Sequence, residues 1–231
     1  MILSTPGYVL HTTPYAETSV VAKVFTRQLG VRSYIIKGVR GGSSRSRVKQ
    51  NLLQPLSSID MVVYDSHRSD LNYVKELSSR QPSVSDPIGN ALRFFMTEVL
   101  YKVLREEEPM PELWDYVETA SEAPDGERKD VPIRFLLMVA RHLGIEPMDN
   151  YSSREPYFCL EEGRYISAPN ETALPLALSQ LLHQYLSAND VQLSTLLDRR
   201  ALIDALIAYF QLHLSSFKQF HSHEILHTIL K

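Results

Sequence analysis

The sequence predicts an α+β chain in two parts, a small closed β-barrel followed by an all-α domain that carries one β-hairpin. Three observations predict it. The first 80 of the 231 residues are short runs rich in Val, Ile, Tyr and Phe, separated by turn-forming residues. Beyond residue 87 the apolar positions recur at helical spacing instead. Between the two lies "RQPSVSDP" (80–87), a polar, proline-bearing linker, which divides the chain into domains 1–80 and 81–231.

The strands follow in order: "GYVLHTT" (7–13), "SVVAKVFT" (19–26), "VRSYIIKGV" (31–39), "SSIDMVVYD" (57–65) and "LNYVKELS" (71–78). Pro14, Gly30, the Gly41-Gly42-Ser43-Ser44 cluster and Ser66 punctuate them. Val20, Ala22 and Val24 mark one face of the second run, and Val21, Lys23 and Phe25 the other. Strands apolar on both faces suit a closed sheet, and five at this spacing suit an OB-fold barrel. Asp86 with Pro87 then forms a helix start, the carboxylate capping free N–H groups and proline taking the first helical position. Helices are predicted at 88–107, 111–121, 131–143, 171–187, 198–214 and 222–230. "YFCLEEGRYIS" (157–167) reads as the hairpin, turning near Glu162-Gly163.

Charge is divided sharply along the chain. The net charge is −3, from 24 basic and 27 acidic residues. From Thr18 to Ile59 no acidic residue occurs, but Lys23, Arg27, Arg32, Lys37, Arg40, Arg45, Arg47 and Lys49 do. The rest of the chain therefore carries a net of −11. Such asymmetry points to a nucleic-acid partner. Lys23 and Lys37 would present charge from the sheet, while Arg40, Arg45, Arg47 and Lys49 would ride a flexible loop able to wrap a phosphate backbone. OB barrels bind single strands by pairing a cationic groove with aromatic platforms. The aromatics nearest this window are Tyr8, Tyr15, Phe25 and Tyr34, some of which must fill the barrel. Composition does not choose DNA over RNA. An RNA-binding OB protein, and an adaptor docking an acidic protein tail, both fit the same window.

Catalytic chemistry finds little support. "KGVRGGSSRS" has glycines, but no Gly-Lys-Ser/Thr follows at the spacing of a phosphate-binding loop. No Gly-x-Ser-x-Gly elbow occurs. Cys159, the one cysteine, reads as a half-buried small hydrophobe and fits a reducing compartment. His213, His221, His223 and His227 fall within fifteen residues, yet lack the thiolates of a structural zinc site and read as surface and interface histidines. Glu106–Glu108 and Glu161-Glu162 read as solvated helix-end and turn charges. No enzyme, cofactor or metal site is expected. "MILSTPGYVL" lacks the charged leader of a signal peptide and is broken by Pro6 and Gly7, and no apolar run approaches the roughly 20 residues of a membrane span, so a cytoplasmic protein is expected.

Specific residues then carry a resemblance. "VLHTTPYAETSVVAKVFTRQLG", followed by "KGVR", a basic stretch and "LLQPL", resembles the N-terminal signature of the RecO family of bacterial DNA repair proteins. The matching residues are Val9-Leu10-His11, Pro14, Glu17-Thr18-Ser19, Phe25-Thr26, Gly30, Lys37 to Arg40 and Gln54-Pro55. "FFMTEVLYKVLREEEP", "FLLMVARHLGIEP" and "FHSHEILHTIL" extend the likeness more weakly through the second domain. The resemblance implies an OB-fold domain followed by a helical one. It also implies a nucleoid-associated DNA-recombination mediator that binds single- and double-stranded DNA and anneals complementary strands. With RecR as partner, such a protein helps load RecA onto strands coated by single-stranded DNA-binding protein. Some family members hold zinc with four cysteines in the hairpin region. Here only Cys159 remains, so the resemblance implies a degenerate zinc-finger region kept as packing without metal. The family's helical domain also receives the acidic, phenylalanine-ended tail of single-stranded DNA-binding protein. Arg134, in "IRFLLMV", lies where a cation beside an apolar groove would suit that carboxylate.

Overall fold

Gly7 shows how the first domain closes. It lies in β1 (Ile2–Tyr15), a 14-residue strand that pairs with two neighbours in succession. Residues 2–8 run antiparallel to β4 (Ser58–Tyr64), and residues 7–15 run antiparallel to β2 (Ser19–Thr26). At the handover Gly7 faces both Thr26 and Ile59. A Cβ there would lie 2.5 Å from a Val24 methyl carbon, so only glycine lets the strands approach this closely. An irregularity between Val9 and His11 adds the bend.

The computed structural model describes residues 2–64, 71–80, 86–106, 108–124, 126–187 and 195–229. The predicted turn at Ser66, residues 81–85 of the predicted linker and Glu107 lie outside them. Completing the barrel are β3 (Gly30–Ile36), antiparallel to β2, and β5 (Leu71–Ser79), antiparallel to β4 and parallel to β3. The closed order is β1-β2-β3-β5-β4, the OB-type barrel that the sequence predicts. Its interior takes one phase of each strand, including Val20, Ala22 and Val24 from β2, Tyr34 and Ile36 from β3, and Ile59, Met61 and Val63 from β4.

One element departs from expectation. Residues predicted to form a flexible loop instead form helix α1 (Ser44–Leu52), between β3 and β4. Ser43 caps it, its hydroxyl accepting from the Ser46 amide at 3.2 Å. Only Ser46 of the helix is buried, so no apolar stripe marked it in the sequence.

The chain divides into two compact units, Met1–Glu118 and Thr119–Lys231, later along the chain than the polar linker. In the first unit the barrel is joined by α2 (Pro87–Val103) and most of α3 (Pro111–Ser121). Asp86 caps α2, accepting from the Gly89 amide at 2.7 Å. Tyr8 packs on Trp114, ring centroids 5.3 Å apart, and His11 packs on Tyr101 at 4.8 Å. Where a helix was predicted to run to 107, α2 ends at Val103, and Glu106 instead forms a parallel bridge with Val31 of β3.

The second unit contains α4 (Val131–His142), the hairpin of β6 (Tyr157–Cys159) and β7 (Arg164–Ile166), α5 (Leu176–Leu186), α6 (Leu196–His213) and α7 (Ser222–Ile229). Thr195 and Asp198 form a capping box at the start of α6. α5 starts at residue 176 rather than 171, because Ala173 bridges to Cys159 of the hairpin and Pro175 stands at the helix cap. Ser179 fastens the hairpin to α5, accepting from the Phe158 amide at 2.9 Å and donating to the Leu174 carbonyl at 3.2 Å. Among the described residues, no helix is long and apolar enough to cross a membrane.

Candidate nucleic-acid interface

The eight cations of the basic window separate into two groups. Lys23, on β2, has its ammonium 3.0 Å from a Glu106 carboxylate oxygen and 5.5 Å from the centroid of the Tyr101 ring. Arg27, after β2, grips Asp115 of α3 with two hydrogen bonds, at 2.7 and 2.8 Å. The Arg27 guanidinium holds the Asp115 carboxyl below the usual carboxylate range. Arg32 shares the interior phase of β3 with Tyr34 and Ile36 and is only 9% exposed. These three are engaged or buried within the first unit. Glu106, predicted to be a solvated charge, also accepts from the Ser33 hydroxyl at 3.4 Å. It therefore holds the outer face of β2 and β3.

The other five gather around α1. Lys37, Arg40, Arg45 and Arg47 are exposed and Lys49 is half-buried. None of the five has an acidic partner among the described residues. Backbone bonds fix their positions. The Thr18 carbonyl accepts from the amides of Val39 and Arg40, at 2.7 and 3.0 Å, tying this segment to the β1–β2 turn. The Arg40 side chain donates to the Ala16 carbonyl at 3.1 Å, and Lys49 donates to the Lys37 carbonyl at 2.6 Å. No acidic residue occupies the first turn of α1, although carboxylates there would complement the helix dipole. Arg45 and Arg47 instead add to the positive end, which concentrates potential suited to an anion.

Of the four aromatics nearest the window, Tyr8, Phe25 and Tyr34 are buried, and only Tyr15 is exposed, at 46%. Two further exposed rings lie on β4 and β5. Tyr73 on β5 lies with its ring centroid 5.0 Å from the Lys37 ammonium, and its cross-strand partner Tyr64 ends β4. Strand alternation was the available signal, since Tyr64 takes the phase opposite to the buried Ile59, Met61 and Val63.

In the second unit, Arg134 is exposed on α4, its guanidinium 5.6 Å from the centroid of the Tyr185 ring. Asp130 is occupied by Arg199 at 2.8 Å and by the Tyr185 hydroxyl at 2.7 Å. Cys159 is fully buried rather than half-buried. Its Sγ lies 3.3 Å from the Thr172 hydroxyl and accepts from Asn170 Nδ2 at 3.4 Å and from the Glu162 amide at 3.5 Å. One thiol among a hydroxyl, an amide and a backbone N–H is not the donor set of a zinc site. Among the described residues, no group of three His, Cys, Asp or Glu side chains is placed to hold a metal ion. His213 lies with Nε2 2.9 Å from the Leu160 carbonyl oxygen, while His227 Nε2 lies 3.4 Å from an Asp204 carboxylate oxygen, and with His223 they line a cavity of about 270 Å³.

Barrel order, inserted helix and attached helical unit define the class: an OB-fold protein with a helical second part. Residues 1–82 match the family described as "Recombination protein O N terminal". The chain is 28% identical to a DNA repair protein RecO of Porphyromonas gingivalis, with 99% of each chain covered. It is 29% identical to that of Phocaeicola vulgatus, covering 98% of each, and 27% identical to that of Flavobacterium johnsoniae, covering 99% of each. The N-terminal part thus matches that family, and the likeness to proteins named DNA repair protein RecO extends along the whole chain, as the resemblance read from its sequence does.

Proposed function

We propose that this protein acts in DNA repair and recombination as a mediator that binds single- and double-stranded DNA and anneals complementary strands. The observation that carries this reading is the group of five cations, Lys37, Arg40, Arg45, Arg47 and Lys49, without acidic partners around α1. The relatives' names, DNA repair protein RecO, support the repair role. Annealing needs no nucleotide site, because base pairing supplies the free energy. The protein's part is to neutralise phosphate repulsion while two strands meet, releasing counterions as it does so. Phosphate contacts carry no sequence information, so the binding is sequence-tolerant.

The nucleic-acid role is assigned to the barrel, residues 1–80, and partner contacts to residues 81–231. RecR is the proposed partner, and RecA is reached indirectly, by loading onto strands coated with single-stranded DNA-binding protein. Arg134, beside Tyr185, supports docking of that protein's acidic tail through an exposed cation next to an aromatic side chain. The proposed location is the cytoplasm, at the nucleoid.

Annealing of two complementary oligonucleotides, one carrying a fluorophore and the other a quencher, tests the reading. The native protein is expected to accelerate quenching, and Arg40→Glu/Arg45→Glu/Arg47→Glu/Lys49→Glu, with an unchanged thermal melt, to lose most of that acceleration. Equal acceleration by native protein and variant would remove the α1 cations from the mechanism.

A further inference from the structure

We propose that Tyr64 and Tyr73 form a stacking platform for unpaired bases of the strand whose phosphates Lys37 and the α1 cations hold. This rests on the nucleic-acid reading above and adds a second kind of contact to it. A row of side chains crosses three adjacent strands. Ile2 of β1 pairs with Tyr64 of β4, and Tyr64 pairs with Tyr73 of β5. All three are exposed, at 57%, 47% and 44%. On β4 itself Ile59, Met61 and Val63 turn inward. An apolar row left in water on an otherwise well-filled barrel marks a surface that something covers.

Charge says what covers it. Lys37 follows β3, the strand parallel to β5, and its ammonium lies 5.0 Å from the Tyr73 ring centroid. Lys49 donates to the Lys37 carbonyl, which links the row directly to α1. A ring bordered by cations fits a base bordered by phosphates, the pairing that sequence-tolerant single-strand binders use. Residues directly opposite on neighbouring strands have Cβ atoms roughly 5 Å apart, so the two rings can serve a single splayed base or two consecutive ones. The neighbouring outer face of β2 and β3 carries Glu106 on Lys23 and Ser33. An incoming backbone there would meet a carboxylate, which directs the strand toward β4 and β5. A protein segment would also cover apolar side chains, but the adjoining cations favour the polyanion.

The test uses the full chain and two labelled oligomers of equal length, one of thymidines and one abasic, compared by fluorescence anisotropy. The native protein is expected to bind the thymidine oligomer roughly tenfold more tightly, within the range for stacking one base on an aromatic side chain. Tyr64→Ala/Tyr73→Ala should lose that preference while binding the abasic oligomer as the native protein does. Tyr64→Phe/Tyr73→Phe should retain it, since the ring is kept and only the hydroxyl is lost. An alanine variant that keeps the preference overturns the platform and returns the row to a protein-docking surface. Loss of affinity for both oligomers in that variant overturns it as well, because stacking would spare the abasic one. A native protein that binds neither oligomer overturns the nucleic-acid reading, and this inference with it.

Discussion

Gly30 opens β3 at a φ of +64°, and a Cβ there would lie 2.4 Å from the Glu108 carbonyl oxygen. Both the left-handed backbone and the close approach exclude a side chain. Gly30→Ala is therefore expected to cost about 2–4 kcal/mol in denaturant unfolding. Gly42→Ala, with open space around it and no positive φ, should be near neutral. At this scale the sequence was only partly legible. Gly30 announces a turn, but nothing in the sequence places Glu108 against it. Eight cations stand in the sequence without a nearby acid, yet the partners of Lys23 and Arg27 are Glu106 and Asp115, more than 80 residues away. Counting charges along the chain cannot see such pairs. Arg32 differs for another reason: only the phase of β3, shared with the buried Tyr34, tells that it is buried rather than exposed.

At the scale of elements, period and turn chemistry served well wherever one face is apolar. The barrel strands and the hairpin turn at Gly163 are centred where alternation and glycine put them, but β1 starts at Ile2 rather than at residue 7 and β3 ends at Ile36 rather than at residue 39. α1 escaped because its residues are exposed nearly all round and glycines precede its cap, so neither periodicity nor composition marks it. Ser43, followed by "SRSRVKQ" (44–50) with its Arg, Lys and Gln helix formers, was the available signal. α7 offers a prediction of its own. Burial pushes the His227 imidazole below its usual value of 6.5, and the His223 and Arg200 charges push the same way against the opposing pull of Asp204. Arg200 also donates to the His227 carbonyl, Glu224 lies on α7 beside the same cavity, and burial raises the Asp204 carboxyl. With its folded pKa depressed, His227 binds a proton more readily once α7 is released, so docking weakens as pH falls below about 6.5. Amide exchange across 222–229 is expected to quicken between pH 7.5 and 5.5 relative to the intrinsic rate, and His227→Gln should flatten that dependence. An exchange profile unchanged by pH would remove His227 from the docking of α7.

For the whole molecule, a net charge of −3 conceals opposite tendencies in different stretches of chain. The acidic residues after the barrel neutralise part of the basic window, and what remains surrounds α1. That partition is the central claim, and salt dependence reads it directly. Affinity for single-stranded DNA falls with log salt by about 0.7 per phosphate neutralised. The deciding measurement is this slope, taken by anisotropy for the native protein and two variants with matched thermal melts. Arg40→Gln/Arg45→Gln/Arg47→Gln/Lys49→Gln should flatten the slope by up to about 3. Lys23→Gln/Arg27→Gln should leave it unchanged, because both charges are already held by carboxylates. A slope that flattens with the second variant and not with the first would contradict the account.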